Sequence, residues 1–407
     1  MSSKKKNLSR RDFLITAGAA GAGSILFPTG SNASELASSR ETPQQTRVPT
    51  RPFGNTGVDV SILSFGGAMD LVSKQLLLSQ ALKWGVTYWD TAASYTRSEE
   101  GIGKYFRKNP ADRKKVFLVT KSNERDSFGM SAALDNALQK LNTSYVDLYL
   151  VHMLGNIEDL FPYKPTIRWI EEMKKAGKIR FFGFSTHKNM EECMLGAAKL
   201  GWIDCIMMSY NYRLMHTDRM KRAVEACVNA GIGLTAMKTQ AEGQVKTNTE
   251  AELELAGRFV QKGFTGAQAA LKAVWENPHI ATICSQMPNL TILSANVAAA
   301  MDKTKLARLD KRLLEQHARE TCSGYCAGCT WICEAEVNGR VPIGDVMRYL
   351  MYSRSYGGDD LAKALYSEIP LDVRKRISRL NYTKAEHKCP QRMEIGQLMR
   401  EAAVELG

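Results

Sequence analysis

The feature that most constrains this chain is an eightfold alternation of short apolar runs with helical patterns between residues 51 and 301. Val60–Phe65, Val86–Trp89, Val116–Val119 and Val146–Val151 have strand length and end in polar residues. Ile179–Phe184, Ile203–Met207, Ile232–Ala236 and Ile280–Cys284 repeat the pattern. Leu71–Lys83, Glu99–Arg107, Met130–Leu141, Thr166–Ala176, Met190–Leu200, Met220–Ala230, Thr265–Trp275 and Thr291–Met301 fill the gaps with helical spacing. Eight strand–helix pairs predict an α/β fold, a closed (β/α)8 barrel. An open doubly wound sheet is the alternative. It lacks its usual mark, because no glycine fingerprint follows the first strand. Gly18, Gly21 and Gly23 are no such fingerprint, since no strand precedes them.

In such a barrel the residues at the C-terminal strand ends point into one site. Three successive strands here end in ionisable groups: Asp90, Lys121 and His152. Tyr95 follows Asp90 in the next loop. Neighbouring strands lie about 5 Å apart, so the four side chains converge despite their separation in sequence. A phenol with an ordinary pKa near ~10 gives up its proton reluctantly. A neighbouring ammonium lowers that pKa. Asp90 holds Lys121 by an ion pair, and His152 orients a carbonyl oxygen. Together they suit proton donation to an oxygen whose carbon receives a hydride. For His187, His216, His279, His317 and His387 an ordinary solvated or satisfied role is expected.

Trp89-Asp90-Thr91-Ala92-Ala93-Ser94-Tyr95, Ser98-Glu99-Glu100 with Gly103, Val119-Thr120-Lys121 and Tyr145–His152 resemble the hallmark segments of aldo-keto reductases. The likeness runs over roughly residues 51–301. It implies a nicotinamide-dependent oxidoreductase, using NADP(H) or NAD(H), that interconverts a small-molecule carbonyl compound and an alcohol. Tyr95 would be the acid/base, Lys121 and Asp90 its tuning pair, and His152 the carbonyl-orienting group. Cofactor contacts are expected from Gly66 and Gly67 after the first strand, from Asp90, and from Ser185 and Thr186 after the fifth. Tyr210 would stack on the nicotinamide. Lys238 ends the seventh strand, and Ser285, Gln286 and Asn289 lie where barrels commonly bind phosphate, before a helix N-terminus. Asn296 would face the adenine. Two departures stand out. Met207 occupies a position where the family usually has glutamine, and no basic residue flanks Asn289 to select a 2′-phosphate. Phe128 and Tyr212 are expected along the substrate pocket.

Both ends of the chain carry something else. Residues 1–33 show signal-peptide anatomy: Lys4-Lys5-Lys6, an apolar stretch from Ile15 to Phe27, and a small-x-small site at Ser31-Asn32-Ala33. Ser9-Arg10-Arg11-Asp12-Phe13-Leu14 resembles a twin-arginine export signal, which implies the twin-arginine machinery as a partner and a periplasmic destination. A short membrane anchor is the other reading, but the apolar run is shorter than the ~20 residues a span needs. No stable membrane span is expected after processing. Residues 34–50 read as a linker. The formal charge of +13 is spread along the chain, which suits anionic ligands and disfavours nucleic acid as a partner.

Residues 302–407 form a mainly helical, cysteine-containing module, beginning with a helix over Thr304–Arg319. Four central cysteines, Cys193, Cys205, Cys227 and Cys284, are expected to be buried and inert. The other five differ. Cys322, Cys326, Cys329 and Cys333, with Cys389-Pro390 further on, look like a bacterial ferredoxin run joined by one distant Cys-Pro cysteine. That resemblance implies a 4Fe-4S cluster held by Cys322, Cys326, Cys329 and Cys389, with Cys333 left over. Cys326, Cys329, Cys333 and Cys389 are the alternative set. Disulfides or zinc remain open for the same residues. A cluster allows a redox partner. It also allows a second function, an electron-transfer or redox-sensing protein that keeps the barrel as a scaffold, and a third, a subunit that senses bound nucleotide.

Overall fold

A computed structural model describes residues 47–160, 163–245 and 250–407. The expected signal segment with its cleavage site, and all but the last residues of the expected linker, lie outside those residues. Strands β1 (Thr50–Pro52) and β2 (Asp59–Ser61) form an antiparallel hairpin. Strands β3 (Leu63–Gly66), β4 (Tyr88–Asp90), β5 (Phe117–Ser122), β6 (Val146–Val151), β7 (Ile179–Thr186), β8 (Cys205–Ser209), β9 (Gly233–Met237) and β10 (Ile280–Gln286) close a parallel barrel in which β10 pairs with both β3 and β9. The (β/α)8 expectation holds.

The first predicted strand divides in two, and Ser61 is the reason. Its hydroxyl donates to the Leu63 carbonyl (2.8 Å) and accepts from the amides of Thr87 and Tyr88. These bonds satisfy the backbone at a bend that directs 59–61 to the hairpin and 63–66 to the barrel. The hairpin turn sends Phe53 up as a plug, its ring 6.0 Å from Tyr88 and 5.7 Å from Phe117. Above it Val119, Leu148, Leu150 and Met207 fill the barrel interior.

Helices α1 (Gln75–Lys83), α2 (Ser98–Lys108), α3 (Ser127–Leu141), α4 (Tyr163–Lys175), α5 (Met190–Ala197) and α6 (Asp218–Asn229) follow successive barrel strands. Each buries one stripe. Helix α6 shows the logic: Thr217 caps it by accepting from the Met220 amide, and Met220, Ala223, Val224 and Cys227 recur at i, i+3, i+4 and i+7 toward the strands. Burying a large aliphatic side chain in this layer contributes about 1.5–3 kcal/mol. Cys193 and Cys227 belong to it as unreactive apolar filler, burial pushing both thiols up to about 12. Between β9 and β10 stand two helices, α7 (Glu250–Gln261) and α8 (Gly266–Trp275), where one had been expected. Helix α7 packs Leu255 and Phe259 against Leu306 and Leu314, so its partner is the segment after the barrel rather than a strand.

Helices α9 (Leu290–Met301) and α10 (Arg308–Glu320) complete the barrel layer. Asp310 of α10 is fully buried and ion-paired with Arg258 of α7 and with Lys262 just after it. The chain then crosses the C-terminal mouth of the barrel through residues 322–330. It goes on to build a helical module from α11 (Thr330–Cys333), α12 (Ile343–Tyr356), α13 (Asp359–Ser367), α14 (Leu371–Ile377), α15 (Thr383–Lys388) and α16 (Ile395–Glu405). Val337, Ile343, Leu350, Leu398 and Met399 anchor its own core. Among the described residues no helix is long and apolar enough to cross a membrane.

Candidate active site

The strand register brings the four ionisable groups together. In β4, Asp90 is paired with Gly66 on one side and Val119 on the other, and its carboxylate turns into the mouth. Lys121, fully buried on β5, places Nζ 2.8 Å from Asp90 Oδ1, 2.7 Å from the Thr91 carbonyl and 3.5 Å from the Tyr95 hydroxyl. That ammonium also lies 4.7 Å from the centre of the Tyr95 ring. His152 follows β6, its backbone N–H donating to the Ser122 carbonyl at 2.7 Å. Its ring meets Tyr95 edge-on, with centroids 5.8 Å apart.

The hallmark run Tyr145–His152 thus does two jobs at the two ends of β6. At the lower end Asp147 accepts from the Leu118 amide, Arg113 and Arg180, which locks β6 beside β5. At the upper end His152 reaches the mouth. Glu99 of the adjacent hallmark segment is likewise a tether, accepting from Thr120 Oγ1 at 2.7 Å.

Electrostatics in the mouth are set by burial. Burial pushes the Asp90 carboxyl up, against the opposing pull of Lys121 and of the neighbouring Cys284 thiol. The Tyr95 phenol is pushed well above its usual range, by burial first and by the Asp90 carboxylate second. The sequence had suggested the reverse, a phenol lowered by Lys121. The ammonium is shared with Asp90 and the Thr91 carbonyl, so burial and the Asp90 charge outweigh its pull on the phenol. His152 is driven down to about 2 by burial, then by the positive charges of Lys121, Arg348 and Arg125. It is a neutral imidazole, and its buried Nδ1 has no hydrogen-bond partner among the described residues.

Of the expected cofactor positions, some face the mouth and others hold the barrel together. A Cβ at Gly66 would stand 3.0 Å from the Ser285 and Gln286 backbone, and one at Gly67 would stand 2.5 Å from the Asp90 carbonyl. These glycines therefore serve strand-to-strand approach. The Ser185 hydroxyl accepts from the Met153 amide and the Thr186 hydroxyl donates to the Lys188 carbonyl. Tyr210 is sunk in the helix–strand core with its hydroxyl accepting from Asn277, so its ring faces are covered. Met207 lies in the barrel interior. Gln286 and Asn289 are exposed; Gln286 donates to the Ala68 carbonyl, and Asn289 caps α9 by accepting from the Ile292 amide. Buried Asn296 donates to the Ser285 hydroxyl. Phe128 is exposed, and Tyr212 packs beside His317 toward the α7–α10 cluster.

Sequence reasoning missed what the C-terminal module adds. Helix α12 lies over the mouth. Arg348, Tyr352 and Tyr356 descend from it, and Lys238 Nζ sits 4.2 Å and 4.7 Å from the two tyrosine ring centres. Lys238 itself has φ +57°, a left-handed conformation that turns it toward those rings. Beside the tetrad a polar chamber is lined by His187, Ser209, Lys238, Gln244, Tyr325 and Arg348. No motif marked Arg348, because the module has no strand register from which convergence could be read.

A second, small cavity adjoins this chamber and shares Cys326 with it. It is lined by Cys326, Cys329, Cys333 and Cys389, with Ile343 and Met393 among its apolar walls. The alternative cysteine set is the one brought together. Cys322 does not line this cavity; Arg392 Nη2 lies 3.9 Å from its sulfur, and the Tyr325 that follows turns its ring into the barrel's core, its hydroxyl accepting from Asn211. The turn of α11 carries Cys333 back toward Cys329. Gly328, at φ +78°, lets this loop touch the backbone of β7's exit, where a Cβ would fall 2.3 Å from the His187 carbonyl. None of the nine cysteines is in a disulfide. Among the described residues no three His, Cys, Asp or Glu side chains close on a single-ion site.

Comparison with known proteins places the barrel. The model of the aldo/keto reductase family matches residues 62–294. The chain is 28% identical over 254 residues to aldo-keto reductase NECHADRAFT_45914 of Fusarium vanettenii, covering 51% of this chain and 68% of that protein. It is 31% identical over 172 residues to the glyoxal reductase of Bacillus subtilis, covering 41% of this chain and 58% of that protein. The holo form of aldo-keto reductase AKR11C1 from Bacillus halodurans superposes with a TM-score of 0.56 at 23% identity, covering 66% of this chain and 96% of that one, a likeness of fold. With its barrel matched over most of its length, the chain belongs to the aldo/keto reductase family, nicotinamide-dependent oxidoreductases of carbonyl compounds and alcohols.

Proposed function

We propose that Tyr95 is the proton donor of a carbonyl reductase, with Lys121 and Asp90 as its positioning pair and His152 as the group that orients the carbonyl oxygen. One observation carries this reading: the Tyr95 hydroxyl stands 3.5 Å from a Lys121 ammonium that is itself ion-paired with Asp90 at 2.8 Å. A phenol held above its usual range keeps its proton at neutral pH until charge develops on a neighbouring oxygen. Neutral His152 has one N–H to donate to that oxygen. The Lys121 charge, fixed by Asp90 and the Thr91 carbonyl, stabilises the tyrosinate left behind. The nicotinamide, when bound, supplies the hydride or takes it back in the reverse oxidation.

The residues around the mouth fit an anionic dinucleotide. Lys238 and Arg348 border the polar chamber, and two buried guanidinium nitrogens of Arg348 have no close hydrogen-bond partner among the described residues. Gln286, Asn289 and Asn296 at the exit of β10 would hold the far end of the cofactor. In the Tyr95→Phe variant, turnover of small aldehydes with NADPH should fall by roughly 10²–10⁴-fold. NADPH binding, followed by fluorescence, should be unchanged. A variant that keeps its turnover refutes the assignment.

We further propose that Cys326, Cys329, Cys333 and Cys389 hold a 4Fe-4S cluster. The support is their convergence on one cavity with apolar walls, a donor set suited to iron and sulfide rather than to a single ion. Export by the twin-arginine route is the reading for the N-terminal segment, supported by Arg10-Arg11 and the apolar stretch behind them.

A further inference from the structure

Arg348 is a charge with unused hydrogen-bonding capacity. The residue is 9% exposed. Its Nη2 donates to Asp345 Oδ1 at 2.9 Å, while Nε and Nη1 are buried with no close hydrogen-bond partner among the described residues; Tyr349 and Tyr352 beside it favour its charged form. Leaving such donors unpaired costs roughly 1–3 kcal/mol each, more for a charged group. Asp345 does not neutralise the site by itself, because Lys188 shares it at 2.8 Å. Lys238 adds a further positive charge to the same chamber. His187, also in the lining, is held neutral by burial and then by the charges of Arg348 and Lys238, and its Nδ1 is engaged with Ser209 at 2.9 Å. Apart from Cys326, whose charge would be shared with a bound cluster, the ionised groups lining the chamber are Lys238 and Arg348, with open donors and no lining carboxylate among the described residues.

The guanidinium is also fixed in place. Gln244 Nε2 donates to the Met347 carbonyl at 2.9 Å, and Gln244 Oε1 accepts from the Cys326 amide at 2.9 Å. Ser355 donates to the Gly243 carbonyl at 2.6 Å, and Arg354 reaches the Gln244 carbonyl. Helix α12 is thus pinned to the loop after β9 along its length. Its charge acts on the reacting groups as well, since Arg348 is among the charges that depress His152. Nε and Nη1 lie on different edges of this preorganised guanidinium, and each offers a charge-assisted hydrogen bond to an oxyanion oxygen.

We propose that Arg348, supplied by the C-terminal module, is the receptor for an oxyanion held in the barrel's mouth, a carboxylate or phosphate group lying beside the Tyr95–His152 pair. The inference rests on the reductase reading of that pair. The oxyanion comes either from the substrate, which is then an acid bearing an aldehyde or ketone, or from a phosphate of the dinucleotide. Orthophosphate should compete for the same donors in either case.

The test uses the full-length protein and its Arg348→Gln and Arg348→Lys variants, with exposed Lys363→Gln as control. Asp345 keeps Lys188 in both, and melting curves and visible absorbance verify that the module is intact. Turnover is compared for 4-carboxybenzaldehyde and uncharged benzaldehyde, NADPH affinity is read by fluorescence, and orthophosphate binding is read by calorimetry. Loss of an ionic hydrogen-bond pair should cost roughly 10- to 100-fold. If that loss appears in kcat/KM for the carboxylated aldehyde and not for benzaldehyde, the oxyanion belongs to the substrate. If it appears in NADPH affinity, with both aldehydes affected alike, it belongs to the cofactor. Arg348→Lys should recover part of either loss. The proposal is overturned if Arg348→Gln changes neither selectivity, nor NADPH affinity, nor orthophosphate binding. Orthophosphate is read without turnover. A wild-type protein that reduces neither aldehyde therefore fails the reductase reading while Arg348 is still judged.

Discussion

The barrel mouth and the cysteine cavity adjoin each other yet are built on opposite principles. In the mouth the strong groups satisfy one another: Lys121 spends its donors on Asp90, the Thr91 carbonyl and Tyr95. Asp90, Lys121 and His152 stand at strand ends and Tyr95 in the loop after one, so the closed sheet fixes their places. In the cavity four thiols face apolar side chains from a short helix turn and two loops, and burial pushes those of Cys326, Cys329 and Cys333 up to about 12. A neutral thiol is a poor ligand, and coordination to a metal removes its proton outright. The difference teaches that one site draws its order from the fold, while the other is arranged as a shell for a group from outside the chain.

The sharpest way to break that comparison is through the cysteines. Cys326→Ser and Cys389→Ser should each lose the bound iron and sulfide measured per chain, together with the visible absorbance. The module should then melt earlier than the barrel, since cluster binding energy is also folding energy there. Cys322→Ser should keep both iron and absorbance. If instead Cys322→Ser loses the iron and Cys333→Ser keeps it, the ligand set is the one that excludes Cys333, and the cavity has been misread.

The next effect belongs to the mouth. Lys121→Met leaves the Asp90 carboxylate buried without its partner, which should destabilise the protein by about 3–5 kcal/mol. The double variant Lys121→Met/Asp90→Leu should recover much of that, because burying two apolar groups in place of an ion pair is often close to neutral. Both should be inactive. Denaturant titration separates the outcomes: if the single and double variants are equally unstable, the pair is not mutually satisfied.

The same contrast explains what was legible in the sequence. Barrel strands declare themselves by apolar runs, and their ends are countable, so Asp90, Lys121 and His152 could be brought together from one dimension. Tyr95 lies five residues past a strand end and was still within reach. Ser61 defeated the first strand boundary because its side chain replaces backbone pairing at a bend, which no periodicity encodes. Tyr210 had the right type and position for stacking but turned into the core to meet Asn277. The cysteines could be counted, but their grouping depends on where Tyr325 inserts, and that is a tertiary fact. Arg348 had no local signal: an arginine in an amphipathic helix reads as solvated until the helix is seen to lie across the barrel.

The smallest predicted effect sharpens the comparison by pH. His152 has a folded pKa of about 2 against an ordinary 6.5, and His187 is displaced in the same direction. For a base whose folded pKa is depressed, the unfolded chain takes up a proton that the native protein refuses. The stability contributed by such a group is complete above about pH 6.5 and declines below it, by roughly 1.4 kcal/mol per pH unit per histidine. Asp90 has the opposite sign, since its raised carboxyl pKa favours the native state in acid. The total profile is therefore ambiguous, and the informative quantity is the difference between wild type and His152→Gln. Measured by urea titration between about pH 4.5 and 7, that difference should shrink steadily as the pH falls, because the variant has one fewer buried base left to protonate on unfolding. A difference that does not change with pH would mean that His152 accepts a proton in the native mouth. The neutral imidazole proposed to orient the carbonyl would then be a cation in competition with Lys121.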